Sequence, residues 1–227
     1  DNYIFNASVW GSNIQEYISN SGYNNIGFSL SNELFLSTRS VFLPGSKIKL
    51  AAEYFRDSYH LFAAKNPSFL RERNNGSANF SLVSSYNRWI NFGFGLTGNI
   101  YSLSESGLKE TNLKANGLFE FKLNSFTIGA IGNYKKQSLE KNISGNNGSS
   151  FYSIQSYIKI LPIRSLLLTF GIDYASNSSN SFFSPFGLFE LNFDKGFTLS
   201  GEYKPHVDYF NTTDIFNINR YFNPGVN

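Results

Sequence analysis

The pattern in this chain that most suggests chemistry is Gly93-Phe94-Gly95-Leu96-Thr97-Gly98, which matches G-x-G-x-x-G. In a nucleotide-binding domain this pattern follows a strand and opens a helix. Here the chain continues as Asn99-Ile100-Tyr101-Ser102, which extends the alternation of a strand. We therefore interpret Gly93 and Gly95 as small residues on a polar strand face, beside an aromatic ring or open space. No nucleotide cofactor is predicted.

The two histidines are the remaining candidates for metal binding or acid–base chemistry. His60 lies near Asp57 and His206 lies near Asp208. Neither has His, Cys or Glu neighbours at the spacing of metal ligands. No nucleophile elbow accompanies a Ser/His/Asp set either. The sequence therefore predicts loop histidines in solvent, with no catalytic residue, no metal site and no cofactor.

The composition narrows the class of protein. Aromatic residues make up 18% of the 227 residues, and charged residues only 15%, well below the usual quarter. The net charge of +3 comes from scattered Lys and Arg, which argues against a nucleic-acid partner. Cysteine is absent, so a disulfide framework is excluded. No apolar run approaches the length of a transmembrane helix.

Strict alternation of apolar and polar residues is the main pattern along the chain. Ile90, Phe92, Phe94, Leu96 and Ile100 alternate with polar or small residues, which is the period of a strand with unlike faces. The pattern recurs often enough to predict eleven strands and no helix. The predicted strands are 2–11, 24–42, 47–58, 76–85, 88–103, 109–123, 126–139, 150–161, 165–176, 182–194 and 197–207.

The predicted connections alternate between short and long. Tight turns are predicted at 43–46, 86–88, 124–125, 162–164 and 194–196, and longer polar connections at 12–23, 59–75, 104–108, 140–149 and 177–181. Outer-membrane barrels have short turns on one side of the membrane and longer loops on the other. Lipid also forces a sheet to close, because an open edge leaves backbone groups unpaired. The sequence therefore predicts an all-β, antiparallel up-and-down transmembrane β-barrel.

The alternation assigns side chains to two faces. Mixed charges on one face favour a wet lumen or a lumen packed against a polar plug, and the other face suits the bilayer. The alternative is a half-exposed soluble sheet. The lumen-facing candidates are Lys49, Glu53, Lys114, Glu120, Lys122, Asp173, Glu202 and Lys204. The lipid-facing candidates are Phe92, Phe94, Leu96, Leu166, Leu168, Phe170 and Ile172.

Aromatic residues cluster near both predicted strand ends. Two girdles of amphipathic rings at the two membrane interfaces would give this distribution, and the alternative is that aromatic residues simply favour strands. One girdle is predicted to hold Trp89, Phe126, Phe193 and Phe197, and the other Tyr54, Tyr101, Tyr134 and Tyr174.

The number of strands and the two ends suggest a piece of a larger barrel. Eleven is odd, whereas bacterial single-chain barrels normally have an even count. The first residue is not Met, and the chain ends in Asn-Pro-Gly-Val-Asn rather than in an aromatic closing strand. We expect residues 1–227 to be a single barrel domain without plug or signal peptide, and residues 208–227 to be an extracellular loop.

The chain resembles the barrel of TonB-dependent receptors of the Bacteroidota type. The resemblance rests on the long alternating strands, the wealth of Tyr and Phe, and the Asn/Ser connections. A local similarity runs from Tyr203-Lys204-Pro205 to Asn219-Arg220-Tyr221-Phe222-Asn223-Pro224. It is similar to the late part of such barrels, where a Tyr-x-Pro strand end leads into an Asn-Pro/Arg-Tyr loop.

The resemblance implies a barrel of 22 strands with an N-terminal plug and TonB-type energy coupling. Such receptors take up siderophores, cobalamin, glycans or peptides across the outer membrane of Gram-negative bacteria. No individual ligand-binding residue can be transferred to this chain. The alternatives are a plug-less porin or hydrophobic-substrate channel, a surface β-sheet adhesin and, more remotely, an enzymatic barrel.

Overall fold

The computed structural model describes residues 2–15, 21–41, 43–60, 70–84, 87, 89–141, 145–193 and 196–219. They form one sheet of eleven antiparallel strands, paired in chain order. The strands are β1 (Asn2–Ile14), β2 (Tyr23–Phe35), β3 (Ser46–His60), β4 (Leu70–Ser84), β5 (Ile90–Leu103), β6 (Leu108–Leu123), β7 (Phe126–Lys141), β8 (Gly145–Ile163), β9 (Leu166–Asn177), β10 (Ser181–Asn192) and β11 (Thr198–Tyr203), followed by helix α1 (Thr212–Ile218).

This architecture confirms the predicted all-β, up-and-down class. Within the described residues the sheet is open, since β1 pairs with β2 alone and β11 with β10 alone. In the same part of the chain, no helix has the length and apolar character needed to cross a membrane.

The register gives the sheet two unlike faces. Directly opposed residues point to the same side of a sheet, and Leu96 is opposed to Phe80 on β4 and to Ala115 on β6. Following these pairs from β1 to β11 collects the alternating apolar residues of every strand on one side, here named the apolar face. The other side, here named the polar face, carries most of the charged and amide side chains.

A bulge keeps the two faces continuous between β8 and β9. Ile160 is opposed to Leu168 and Ile163 to Leu166, so β8 contains one residue more than β9 at this point. Pro162 lies inside the irregularity, where a missing backbone N–H is tolerated. Without the extra residue, the side chains on one side of the bulge would change faces.

The apolar face has a band of constant height. On β7 and β8 the band runs from Phe126, opposed to Ile160, to Tyr134, opposed to Tyr152. On β9 it runs from Leu166 to Tyr174. A strand crosses a bilayer with about 9–11 tilted residues, which fits these bands. Beyond the tyrosines the strands continue, so we name this end of the sheet the overhanging end and the opposite end the turn end.

The predicted alternation of loop lengths is wrong. At the overhanging end, β5 and β6 are separated only by residues 104–107, and β9 and β10 by 178–180. At the turn end, β2 and β3 are separated by residues 36–45. The Asn/Gly/Ser-rich segments that we interpreted as loops instead continue the backbone pairing, for example up to Lys141 and from Gly145 onward. The predicted loop segments at 16–20, 61–69 and 142–144 lie outside the described residues.

Two predicted strands are too long for identifiable reasons. β2 ends at Phe35 rather than at 42, because the chain turns at Ser37, whose carbonyl accepts hydrogen bonds from the Ser40 and Gly45 backbones at 3.0 and 3.1 Å. β11 ends at Tyr203 rather than at 207. Gly187 is opposed to Tyr203, so two residues further on Pro205 would face Pro185. Neither proline has a backbone N–H to donate, so the pairing stops there.

The structure also contains a helix where none was predicted. Asn211 caps α1 by accepting a hydrogen bond from the Asp214 backbone at 2.7 Å, and Asp214 accepts one from the Asn211 backbone at 3.2 Å. This capping box was readable in the sequence as Asn-Thr-Thr-Asp. Residues 208–219, expected in an extracellular loop, include this helix.

One aromatic residue was assigned to the wrong place. Tyr101 lies on the polar face, because it is opposed to Glu110 and is adjacent in sequence to Ile100 of the apolar face. It is buried with Leu103 and Leu108, against which Leu139 packs. Tyr54, Tyr134 and Tyr174 do lie on the apolar face, where Tyr152 joins them.

Glycine on the polar face makes room for an aromatic ring, which gives a test of the packing. The Tyr157 ring lies where a side chain on Gly129 would start. We expect Gly129→Val to displace this ring and to destabilise the sheet by about 1–3 kcal/mol, as overpacking does. Urea unfolding of the purified protein in detergent micelles measures the change.

Gly132→Val on the same strand is the matched control. A Cβ at Gly132 meets no atom within 4 Å, and the residue lies on the apolar face. We expect this variant to unfold at the same urea concentration as the parent protein or a higher one. Equal destabilisation by both substitutions would show that the Tyr157 contact is not the cause.

Candidate functional site

The register places the fifteen candidate residues on the two faces as grouped in the sequence. Seven of the eight charged candidates lie in strands and occupy the polar face, and Lys204 directly follows β11 with its ammonium 5.8 Å from the Phe186 ring centre on that face. All seven apolar candidates lie on the apolar face. Their assignment to a lumen and to lipid stays a prediction.

At the turn end, Glu120 is the centre of a polar network. Its carboxylate accepts hydrogen bonds from the Tyr157 hydroxyl at 2.7 Å and from the Lys159 ammonium at 2.7 Å. Asn91 donates to the same carboxylate at 3.0 Å. These residues lie on β5, β6 and β8, so one buried carboxylate links three strands. The charge is satisfied by several donors, as a buried charge requires.

A second carboxylate at this end has two cationic partners. Glu33 lies 2.7 Å from the Lys47 ammonium and 2.9 Å from that of the candidate residue Lys49. Both lysines are partly exposed, so each pair contributes little to stability by itself. Glu33 and Glu120 therefore each have a lysine ammonium as partner on the polar face.

Two buried ion pairs lie at the overhanging end, and neither was found in the sequence. Arg73 donates to Asp57 through Nε at 3.0 Å and through Nη2 at 2.5 Å, a bidentate arrangement. Arg71 forms an ion pair with Glu105 and is almost completely buried. They were not predicted, because residues 59–75 were interpreted as a polar loop, whereas β4 begins at Leu70.

The segment after β11 folds back over the polar face. We name residues 204–219 the strap. The Tyr209 ring stacks on Phe151 with ring centres 5.6 Å apart and planes 20° apart. The Tyr209 hydroxyl donates to Gln137 at 2.9 Å and contacts the Ser149 hydroxyl. Lys135 donates to the Tyr209 carbonyl at 3.2 Å. Tyr209 thus joins the strap to β7 and β8.

Helix α1 joins the strap to β6. Glu110 of β6 is completely buried and accepts from the Thr213 backbone N–H at 3.0 Å and from Asn112 at 2.5 Å. The carboxylate therefore sits at the positive end of the short helix, where a negative charge is favoured. Lys114 lies 3.5 Å from Asp214. The lumen-facing candidate Lys114 therefore contacts the strap.

An open groove of about 630 Å³ lies between the strap and the polar face of β7–β9. Its size is within the range of small-molecule sites. Its lining mixes charges of both signs with amides, which suits a hydrogen-bonding solute. The polar lining consists of Asn133, Ser153, Gln155, Asp173, Glu202, Lys204, His206 and Asp208.

The apolar face changes character beyond its tyrosines. Within the described strands, the charged residues on this face all lie at the overhanging end, past the band. Arg56 and Glu72 form an exposed pair there at 2.7 Å. Lys109 is opposed to Glu140, and Lys136 lies one pleat beyond Tyr134. The band itself is free of charge in the part of the chain that the structure describes.

The remaining sequence motifs have plain structural roles. Gly95 lies on the polar face, and the Asn116 side chain, rather than an aromatic ring, occupies the space beside it. His60 is the last residue of β3 and not a loop residue. His206 is exposed, with Nε2 3.3 Å from Asp208. Among the described residues, no group of three His, Cys, Asp or Glu could hold a metal ion.

Comparison with known proteins gives a relationship at the level of structure. No protein-family model matches the chain, and no curated protein matches its sequence. The crystal structure of the siderophore receptor PirA from Pseudomonas aeruginosa is similar, with a TM-score of 0.63 over 87% of this chain. The identity is 13%, so the likeness shows the fold. The chain spans 35% of the receptor chain, which places it alongside part of a receptor barrel.

β3 and β4 are joined by one buried ion pair, Arg73–Asp57, and by one exposed ion pair, Arg56–Glu72, and comparing them tests the effect of burial. Arg73→Ala leaves the buried Asp57 carboxylate without its bidentate partner, and we expect a loss of about 3–5 kcal/mol in unfolding free energy. Arg56→Ala removes the exposed pair on the opposite face of the same hairpin, and we expect a loss of about 0–1 kcal/mol. Denaturant unfolding in detergent micelles compares them. Similar losses in both variants would contradict the difference in burial.

Proposed function

We propose that this chain is the barrel wall of an outer-membrane transport protein of a Gram-negative bacterium. The observation that carries the proposal is the apolar face, which continues across eleven strands and is backed by a polar face. Ring side chains such as Phe170 and Phe94 are about half exposed on it. Exposed apolar patches of this extent mark interaction with lipid or with another apolar surface. A bilayer satisfies such a face, and the height of the band fits it.

The polar face then lines the lumen. We propose that Lys49, Glu53, Lys114, Glu120, Lys122, Asp173, Glu202 and Lys204 face the transport path. We propose likewise that Phe92, Phe94, Leu96, Leu166, Leu168, Phe170 and Ile172 contact lipid. The overhanging end, with its long strands, is the extracellular side, in line with the projecting strands of such barrels.

Within this class we propose a TonB-dependent receptor that imports a solute, with residues 1–227 as one barrel domain within a larger barrel. The likeness to the siderophore receptor PirA supports this choice. In such a receptor, a plug domain contacts the charged polar face, and TonB-type coupling supplies the energy. The solute itself is unidentified. Siderophores, cobalamin, glycans and peptides are the classes that the resemblance implies.

A plug-less channel for passive diffusion is the second candidate. The strap favours it, because a segment that folds over the polar face is typical of the constricting loop of a porin. A plug and a constricting loop both narrow the lumen of a barrel. The coding sequence upstream separates the two, since a plug needs a further domain of about one hundred residues.

The experiment that tests transport uses the host bacterium with and without the gene. Membranes are separated on a density gradient, and the protein is located with an antibody. Growth is then compared on iron complexes, cobalamin, glycans and peptides as single limiting nutrients. Recovery in the outer membrane and loss of growth on one nutrient class are expected. Recovery in a soluble fraction would overturn the proposal.

Opposite faces of one strand should respond differently to a charge. We expect Leu96→Arg to impair assembly, because an arginine at the middle of the bilayer costs about 2–4 kcal/mol. Phe170→Arg should act in the same way. Thr97→Arg is the matched control, since Thr97 is the next residue and lies on the polar face, opposed to Lys114. The fraction of heat-modifiable folded protein in the outer membrane is the measurement. Equal assembly of Leu96→Arg and Thr97→Arg would contradict the lipid-facing assignment.

A further inference from the structure

The strap crosses the polar face without becoming part of the sheet. β11 ends at Tyr203, and the chain from Lys204 to Asn211 has no regular structure before α1 begins. From there the strap touches three neighbouring strands, β6, β7 and β8, at their overhanging end. It therefore lies across the outer half of the surface that a solute would follow.

The attachments of the strap to the sheet are mainly polar. They consist of the Tyr209 stack, one ion pair and several hydrogen bonds, including one of 3.2 Å from Gln137 to Thr212. Of the apolar side chains of the strap, Phe210 is 59% and Ile218 is 77% exposed, whereas Ile215 is half-buried. Hydrogen bonds are exchanged for bonds to water on release and so give little net stability. Segments with little apolar burial open most readily.

The groups beneath the strap can also be satisfied after release. Glu110 is buried under Thr213, and water can hydrate its carboxylate once the strap leaves. Asn112, its other partner, belongs to β6 and stays in place. Helix α1 has seven residues, too few to be stable alone, so it would unfold when it undocks. Docked and released strap are thus two arrangements without a buried unpaired charge.

We propose that the strap is a displaceable closure of the transport path, anchored by Tyr209. Docked, it narrows the passage along the polar face of β6–β8. Released, it opens the groove lined by Asp173 and Gln155 to the outside. The proposal rests on the proposed transport function and adds to it a moving part and the residue that holds it.

Residues 1–227 contain no cysteine, so two thiols introduced here are the only ones in this part of the protein. Gln137→Cys and Thr212→Cys are introduced together into the full-length protein, and a short bifunctional methanethiosulfonate links the two thiols reversibly. Lys136→Cys with Thr212→Cys is the matched control, because Lys136 directly precedes Gln137 in the sequence but lies on the apolar face. Uptake of the nutrient on which deletion of the gene stops growth is then measured in whole cells before and after dithiothreitol.

Three results decide the proposal. We expect the Gln137 pair to be linked, the Lys136 pair not to be linked, and uptake by cells with the linked protein to rise several-fold on reduction. Uptake that is the same before and after reduction overturns the closure while leaving the transport function intact. Failure to link the Gln137 pair in folded protein overturns the docked position. Failure of the transport function shows separately, as loss of the protein from the outer membrane.

A second variant tests the anchor without the linker. Thr212→Cys alone is labelled in whole cells with a membrane-impermeant maleimide, with and without Tyr209→Ala. We expect labelling at least tenfold faster when Tyr209 is replaced. Phe210→Ala, which removes an exposed neighbour, should leave the rate unchanged. Equal rates with and without Tyr209 would overturn its role as the anchor.

Discussion

The alternation of side chains along each strand, kept in register across ten strand pairings, is the constraint on which the rest of the structure depends. A shift of one residue in any pairing would exchange the faces of every strand beyond it. The only irregularity in the described pairings, at Ile160 and Ile163, adds the residue that restores the alternation. The apolar band, the charged network of Glu120 and the docking surface of the strap all require this continuity.

The polar face is organised differently at its two ends. At the turn end, Glu120 of β6 is hydrogen-bonded to residues of β5 and β8. The ring of its partner Tyr157 on β8 lies across Gly129 of the intervening strand β7. At the overhanging end, the carboxylates of Asp57 and Glu110 are buried, one under an arginine and the other under a helix N-terminus. The first arrangement holds strands together within the sheet. The second includes a segment from outside the sheet, the strap, and so links the sheet to a part of the chain that has no strand pairing.

Local patterns in the sequence were sufficient for the strands and their faces, because the period of two is a property of single segments. They were insufficient where a distant partner decides the outcome. Near the start of β4 at Leu70, Arg71 pairs with Glu105 of the β5–β6 connection and Arg73 pairs with Asp57 of β3. Tyr101 was assigned to a girdle by its position near a strand end. However, it directly follows Ile100 of the apolar face, so the alternation of side chains already placed it on the polar face. The position of the strap depends on Glu110, more than a hundred residues away, and no local pattern contains that contact.

The early end of β11 has a mechanical consequence. The β10–β11 pairing extends over six residues on each strand, from Asn192–Thr198 to Gly187–Tyr203, whereas the neighbouring β9–β10 pairing covers nearly the whole of β10. This pairing, here named the seam, is the shortest of the described ladders, and its continuation would bring Pro205 opposite Pro185. The strap starts where the seam ends. Since the strap continues directly from this short ladder, we expect fraying of β11 and release of Tyr209 to occur together.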